Sequence, residues 1–308
     1  MPLTASSAAL LIIISTEVLI GILANAFILG VNGLDWLKAQ RLTSADLLLV
    51  TLGISNILFE CTVTVNTHLI PMQEENLRSK DIRPFLRMLS SCATFSCSWL
   101  TACLCVFYCL KIVHSNHALF NWFKSRSSRM VPWTLLASVC GSVTLSIPMY
   151  WNNYRSGLHN ATSNLTSNST MDEGDLRWAL SYTIATNVLG CSLPLVLVAL
   201  SVTFILFSLC RHTWKMKQNL PNNGGPHLEA HIRAANTMSG LLILHAISYL
   251  SQVSSFFMPW QEGTFWSLFC WVVIASCSPA QSVLLILGNS KLRKTFLRVM
   301  GSPRTEDA

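Results

Sequence analysis

The sequence predicts an all-helical membrane protein: seven transmembrane helices, an N-terminus outside, and a short amphipathic helix after the seventh span. Three observations predict it. Of 308 residues, 51% are hydrophobic and only 11% charged, whereas an ordinary soluble domain is about 25% charged. So few charges could not cover a soluble surface. Apolar runs close to the ~20 residues that cross a bilayer recur along the chain. They lack the period-2 alternation of barrel strands. Basic residues, finally, alternate between rich and poor loops, as positive-inside topology requires.

The spans read at 8–31, 46–71, 85–113, 130–151, 179–210, 232–258 and 264–288, within one domain covering 1–308. The first, "AALLIIISTEVLIGILANAFILGV", is too long for a signal-peptide core and has no basic residue before it, since the first is Lys38. The second opens at Asp46 and carries Glu60. The third ends at the basic Lys111. The fourth ends in Tyr150 and Trp151, followed by Tyr154; with Trp178 and Tyr182 of the fifth span they mark the outer interface. Pro194 predicts a bend in the long fifth span. "QNLPNNGGPH" is a turn-rich connection before the sixth. After the seventh, Leu292, Phe296 and Val299 interleave with Lys291, Arg293, Lys294 and Arg298, the pattern of a helix lying on the inner leaflet.

Orientation follows from the basic residues. With the N-terminus outside, fifteen of the 21 Lys and Arg fall on the cytoplasmic side. The six outside are Arg78, Lys80, Arg83, Arg87, Arg155 and Arg177. A second signal agrees. "HNATSNLTSNST" packs the sequons at Asn160, Asn164 and Asn168 into the connection 152–178, which the same topology places outside as a glycosylated loop. The +7 net charge is thus a topology signal and needs no nucleic acid. The 11 cysteines fall in or beside spans and 152–178 holds none, so no disulfide joins the third span to that loop. They read as small buried hydrophobes. No Cys-x-x-Cys or other metal-ligand spacing occurs, and no metal or cofactor is expected.

Enzyme motifs are absent: no His-Glu-x-x-His, no Gly-x-Ser-x-Gly and no phosphate-cradling glycine loop. Glu17 and Glu60 are the acids within spans, which raises a transporter reading. No half-to-half similarity or paired broken helix supports it. A carboxylic acid hydrogen-bonded to a neighbouring helix is the favoured reading of both.

Seven helices with basic inner loops suggest a G-protein-coupled receptor, although the rhodopsin-type Asp-Arg-Tyr and Asn-Pro-x-x-Tyr are missing. "SWLTACLCVFYCLKIVHSNHALFNWFKSR" closely resembles the end of span 3 and the next loop of the type 2 (bitter) taste receptors. So do "GILANAFILGVNGLDW", "DLLLVTLGIS", "SLCRHTWKM", "AHIRAANTMSGLLIL" and "LLILGNSKLRKTF". The resemblance covers nearly the whole chain and is densest from Phe107 to Ile112. Departures are specific: Asn56 stands where the family usually has Arg, Glu60 where it has Gln, Gln281 and Ser282 where it has His-Ser, and Ser90 where many members have Trp.

The resemblance implies a plasma-membrane receptor for small bitter compounds that signals through gustducin-type heterotrimeric G proteins. By family position Ser90, Thr94, Phe95 and Trp271 would face the agonist, with Ser248 and Gln252 added from span 6. Tyr108, Lys111, His114, Arg211, His212, Lys215 and His231 would surround the G-protein site, or serve topology and anionic lipid alone. Asn25, Asn56 and Ser282 would form an interhelical polar network. Two other readings share this topology: a vomeronasal or pheromone-type receptor, and a transporter or channel.

Overall fold

The computed structural model describes residues 5–65, 82–113, 117–163, 173–219, 226–257 and 265–301, and every element in them is helical. In chain order these are α1 (Ala5–Ala39), α2 (Ser44–Thr64), α3 (Ile82–Ile112) and α4 (Ala118–Ser163). The fifth helix, α5, runs as Glu173–Asn187, a π-helical turn Val188–Ser192, and Leu193–Asn219. Then come α6 (Pro226–Phe257), α7 (Phe265–Gly288) and α8 (Ser290–Val299). Six of the first seven are long and apolar enough to cross a membrane; α6, which carries His245, Tyr249 and Gln252, is not among them. A seven-helix transmembrane bundle fits this arrangement.

Large apolar side chains point outward along it: Ile12, Leu23, Trp133, Leu180, Phe207 and Leu250 are all exposed. Water would forbid that surface, but hydrocarbon does not. With apolar groups as content outside as inside, the helices are held by close packing and interhelical hydrogen bonds. Central to the bundle is α3, which packs on α2, α4, α5 and α6.

The helices outrun the apolar spans. α4 begins at Ala118 and ends at Ser163, where the sequence reading placed a span of 130–151 followed by a loop. Hydropathy reports where the bilayer stops, whereas adding a residue to an existing helix is cheap once nucleation is done. Residues 152–163 and 173–178 are therefore helical, and Asn160 lies on a helix and not in a loop. Residues 66–71 of the second expected span lie outside the described residues. Residues 220–225 of the turn-rich stretch lie outside the described residues, between the ends of α5 at Asn219 and α6 at Pro226.

At Pro194 the expected disturbance takes the form of the π turn. Proline has no N–H for the carbonyl of Gly190 four residues back, and its ring crowds that carbonyl. The ladder widens, and the Leu193 N–H reaches the carbonyl of Val188, five residues earlier.

α2 starts with a capping box: the Thr43 side chain accepts from the Asp46 N–H while the Asp46 carboxylate accepts from the Thr43 N–H. Asn289 caps α8 by accepting from the N–H groups of Lys291 and Leu292. Lys291 then ties α8 to the bundle. Its Nζ donates to Asn32 Oδ1 at 2.7 Å and to Asp46 Oδ1 at 3.0 Å, and pairs with Asp35 Oδ2 at 2.9 Å. Partial burial pulls the Lys291 ammonium toward neutrality, but its bonds to Asp35 and Asp46 outweigh this and hold its pKa above the ordinary value. Phe296 of α8 meets Phe27 of α1 edge to face, and Leu292 is fully buried.

Candidate functional site

Two apolar clusters divide the interior. One holds Ile28, Leu52, Leu104, Ile205, Leu241 and Leu292; the other holds Ile14, Val18, Phe59, Val63, Ala93 and Ala275. On α1, α2 and α7 the residues between them are polar and fully buried: Asn25, Asn56 and Ser282 are each 0% exposed. Asn56 Nδ2 donates to Asn25 Oδ1 at 3.2 Å and to Ser282 Oγ at 3.4 Å. Its Oδ1 accepts from the Cys97 thiol of α3 at 3.1 Å. Alongside, Gln281 Nε2 donates to Thr101 Oγ1 at 2.5 Å and ties α7 to α3. One neutral side chain on α2 thus touches three other helices.

The two intramembrane acids behave differently. Glu17 accepts from Ser276 Oγ at 2.6 Å, joining α1 to α7, as a neighbour-bonded carboxyl was expected to do. Glu60 departs from that expectation. It is 0% exposed, and among the described residues neither carboxyl oxygen has a hydrogen-bond partner, although Ser278 and Gly21 lie beside it.

Above the polar layer, toward the end expected to face outside, a cavity of about 520 Å³ opens between α2, α3, α5, α6 and α7, its open mouth included. Asn56 and Phe59 of α2 and Thr94, Cys97 and Ser98 of α3 form one side. Cys191 and Leu195 of α5 with His245, Ser248, Tyr249 and Gln252 of α6 form another. Ile274, Cys277, Ser278 and Gln281 of α7 complete it. The π turn faces this cavity. Within and beside it, Cys191 Sγ points to Gln252 Oε1 at 3.7 Å, and Ser192 Oγ donates to the Tyr249 hydroxyl at 2.7 Å, so α5 and α6 are linked at the wall.

Of the residues expected to face an agonist, Thr94, Ser248 and Gln252 line the cavity and Ser90, Phe95 and Trp271 do not. Ser90 lies one turn along α3, its carbonyl accepting from Thr94 Oγ1 at 2.9 Å. Phe95 is turned away: its ring lies against Gly190, so closely that a Cβ there would overlap it. Trp271 is half-buried on α7 outside the lining. Sequence reasoning missed His245. An ionisable residue in the run "LLILHAISYL" is as conspicuous as an intramembrane acid, and histidine belongs under the same rule.

The opposite end holds a smaller cleft of about 280 Å³. Tyr108 lines it together with Leu49, Thr237, Met238, Leu285 and Gly288. Lys111 is exposed, its ammonium 5.4 Å from the Phe107 ring centroid, and Arg211 and His231 are exposed as well. His114 lies outside the described residues, as do the side chains of His212 and Lys215. At Gly288 α7 lies against α6: Thr237 occupies the space a Cβ would need.

Asn164 and Asn168 lie outside the described residues, and of Asn160 only the helical backbone is described. The expected interface aromatics Trp178 and Tyr182 stack at 5.6 Å and 9°, and the Tyr182 hydroxyl donates to the Leu145 carbonyl of α4. All 11 cysteines are free thiols.

Comparison with known proteins places these features in a lineage. Residues 1–304 match the family model described as Taste receptor protein (TAS2R). The chain is 30% identical over 310 residues to taste receptor type 2 member 41 of Pan troglodytes, covering 96% of each chain. It is 32% identical over 293 residues to taste receptor type 2 member 3 of Gorilla gorilla gorilla, covering 93% of this chain and 91% of that one. Member 41 of Mus musculus is 29% identical over 296 residues, covering 91% of each.

Proposed function

Because the chain belongs to the type 2 taste receptor family, a family of receptors and not of enzymes, we propose that it detects small bitter compounds and signals through a gustducin-type heterotrimeric G protein. One observation carries this reading. The cavity shares Asn56 and Gln281 with the polar layer, so a molecule seated in it adjoins the hydrogen bonds that tie α2 to α1, α3 and α7. A ligand that favours one arrangement of those bonds shifts the helices, and the small cleft at the cytoplasmic end opens or closes with them. Agonist enters from outside, where the N-terminus lies. Tyr108 and Lys111, with His114, Arg211, His212, Lys215 and His231 around them, meet the G protein.

Calcium imaging tests it, in cells that co-express the chain with a gustducin-chimera G protein and are screened against a panel of bitter compounds. Responses should vanish when coupling is blocked. Substituting Tyr108 or Lys111 should weaken them at normal surface levels. An agonist-evoked current in membranes stripped of G protein would favour the channel reading instead.

The same topology predicts a glycan on at least one of Asn160, Asn164 and Asn168, with Asn164 the best acceptor because it is farthest from both membrane boundaries. The glycan serves folding and delivery to the surface. Glycosidase treatment of protein from mammalian cells should shift its gel mobility; an unshifted band would remove the topological argument.

A further inference from the structure

We infer that Gly190 and Phe95 together form a size filter for the cavity: glycine at 190 lets the Phe95 ring lie in the seam between α3 and α5 and so keeps it out of the ligand's space. The inference rests on the receptor reading above and adds what limits the bulk of a molecule that the site accepts.

The glycine supplies room, not backbone freedom. Gly190 is buried in the π turn Val188–Ser192, and among the described residues the glycine with positive φ is Gly301. Glycine inside a helix otherwise costs stability, through the backbone entropy lost on folding. A Cβ built on Gly190 would stand 2.6 Å from Phe95 Cε1 and 2.8 Å from Cγ. Carbon atoms in contact rest at about 3.5–4.0 Å. The overlap reaches Cγ, the root of the ring. Spinning the ring about its own axis leaves Cγ in place; only a new χ1 or a shift of backbone moves it.

The backbone is held. α3 packs on the π turn itself. One residue past Gly190, Cys191 lies beside the Ser98 hydroxyl of α3 and points to Gln252 of α6, and Ser192 Oγ donates to the Tyr249 hydroxyl at 2.7 Å. The ring is therefore what gives way. Long side chains in a helix use two χ1 wells, near 180° and −60°, so a ring driven from one has the other. Thr94 and Ser98, on either side of Phe95, line the cavity, whereas Phe95 is only 5% exposed. The open volume beside the seam is the cavity, and a displaced phenyl ring enters it. A bulky agonist then meets the ring; a small one does not.

The calcium assay tests this with each agonist from the bitter panel and its analogues extended by a methyl, n-butyl or phenyl group. In Gly190→Ala the half-maximal concentration should rise about tenfold for the bulkiest active compound and about threefold or less for the smallest. Adding Phe95→Ala to that variant should return the large-to-small ratio to wild type. Phe95→Ala alone should leave the ratio unchanged, because the ring starts outside the cavity. Phe95→Trp, which overfills the seam with glycine intact, should reproduce the graded loss. Because the ratio is taken within one variant, altered expression does not move it. An equal loss for large and small compounds, no loss, or no recovery in the double variant would overturn the inference. So would absence of both Gly190→Ala and Phe95→Trp from the surface, which would show that the ring has nowhere to turn. A wild type silent to every compound, at confirmed surface expression, would sink the receptor reading instead.

Discussion

Replacing Lys291 by glutamate is expected to remove most of the receptor from the cell surface, at least a fivefold loss by flow cytometry of an N-terminally tagged chain. The wild-type ammonium touches three acceptors within 3.0 Å, on α1 and at the start of α2. Asn32 is 0% exposed and the Asp46 side chain only 13%, so water replaces the lost partner poorly at both. Glutamate would set a third carboxylate beside Asp35 and Asp46. The Asp35 side chain is 47% exposed, so its share is screened; the whole change is on the order of 2 kcal/mol or more. Lys291→Met, which removes the charge without reversing it, should lose less. Adding Asp35→Lys to the glutamate variant should restore part of the surface signal. Equal expression of Lys291→Glu and wild type would show that α8 is held by Leu292 and Phe296 alone.

The second large effect concerns agonist-free signalling. Asn56→Arg should lower it at matched surface expression. Asn56 now holds α1, α3 and α7 through neutral hydrogen bonds, which inside membranes average only ~0.6 kcal/mol each. A guanidinium at that position would need an anion, and Glu60 stands one helical turn away with both oxygens unpartnered among the described residues. The pair would bind more tightly than the amide and hold the resting arrangement. In a Glu60→Gln background the same arginine would have no counter-ion, and surface expression should fall sharply instead. An unchanged or higher basal signal from Asn56→Arg alone overturns the idea.

Much of this architecture was legible without coordinates, because the bilayer imposes its demands locally. Length and apolarity of a run decide whether it can span, whatever its neighbours. That is why six of the spans were recoverable while the helix ends at Ala118 and Ser163 were not: the helix ladder does not stop where the hydrocarbon does. α6 shows the same limit from the other side. Its polar residues dilute its hydropathy, and four of them, His245, Ser248, Tyr249 and Gln252, line the cavity.

The site was only half legible. Family position led to Thr94, with Ser248 and Gln252 added from the sixth span, and equally to Phe95, whose ring packs on Gly190 where a larger residue would have pushed it elsewhere. Which way a side chain turns depends on the volume left by another helix, and one strand of sequence does not encode that distance. His245 was readable as an ionisable group among apolar ones. Its place in the cavity wall was not.

By itself, the sequence determined a helical membrane protein, its kinship with the type 2 taste receptors, and the residue types available at each depth. Those properties follow from the transfer of individual segments and from motifs read in order. Tertiary structure alone decided that Asn56 reaches α1, α3 and α7 together, that Lys291 serves α8 and not merely topology, and that Glu60 has no hydrogen-bond partner among the described residues. Each is a meeting of side chains from different helices. Such contacts arise only when packing fixes helix rotation and separation to within a hydrogen bond's length.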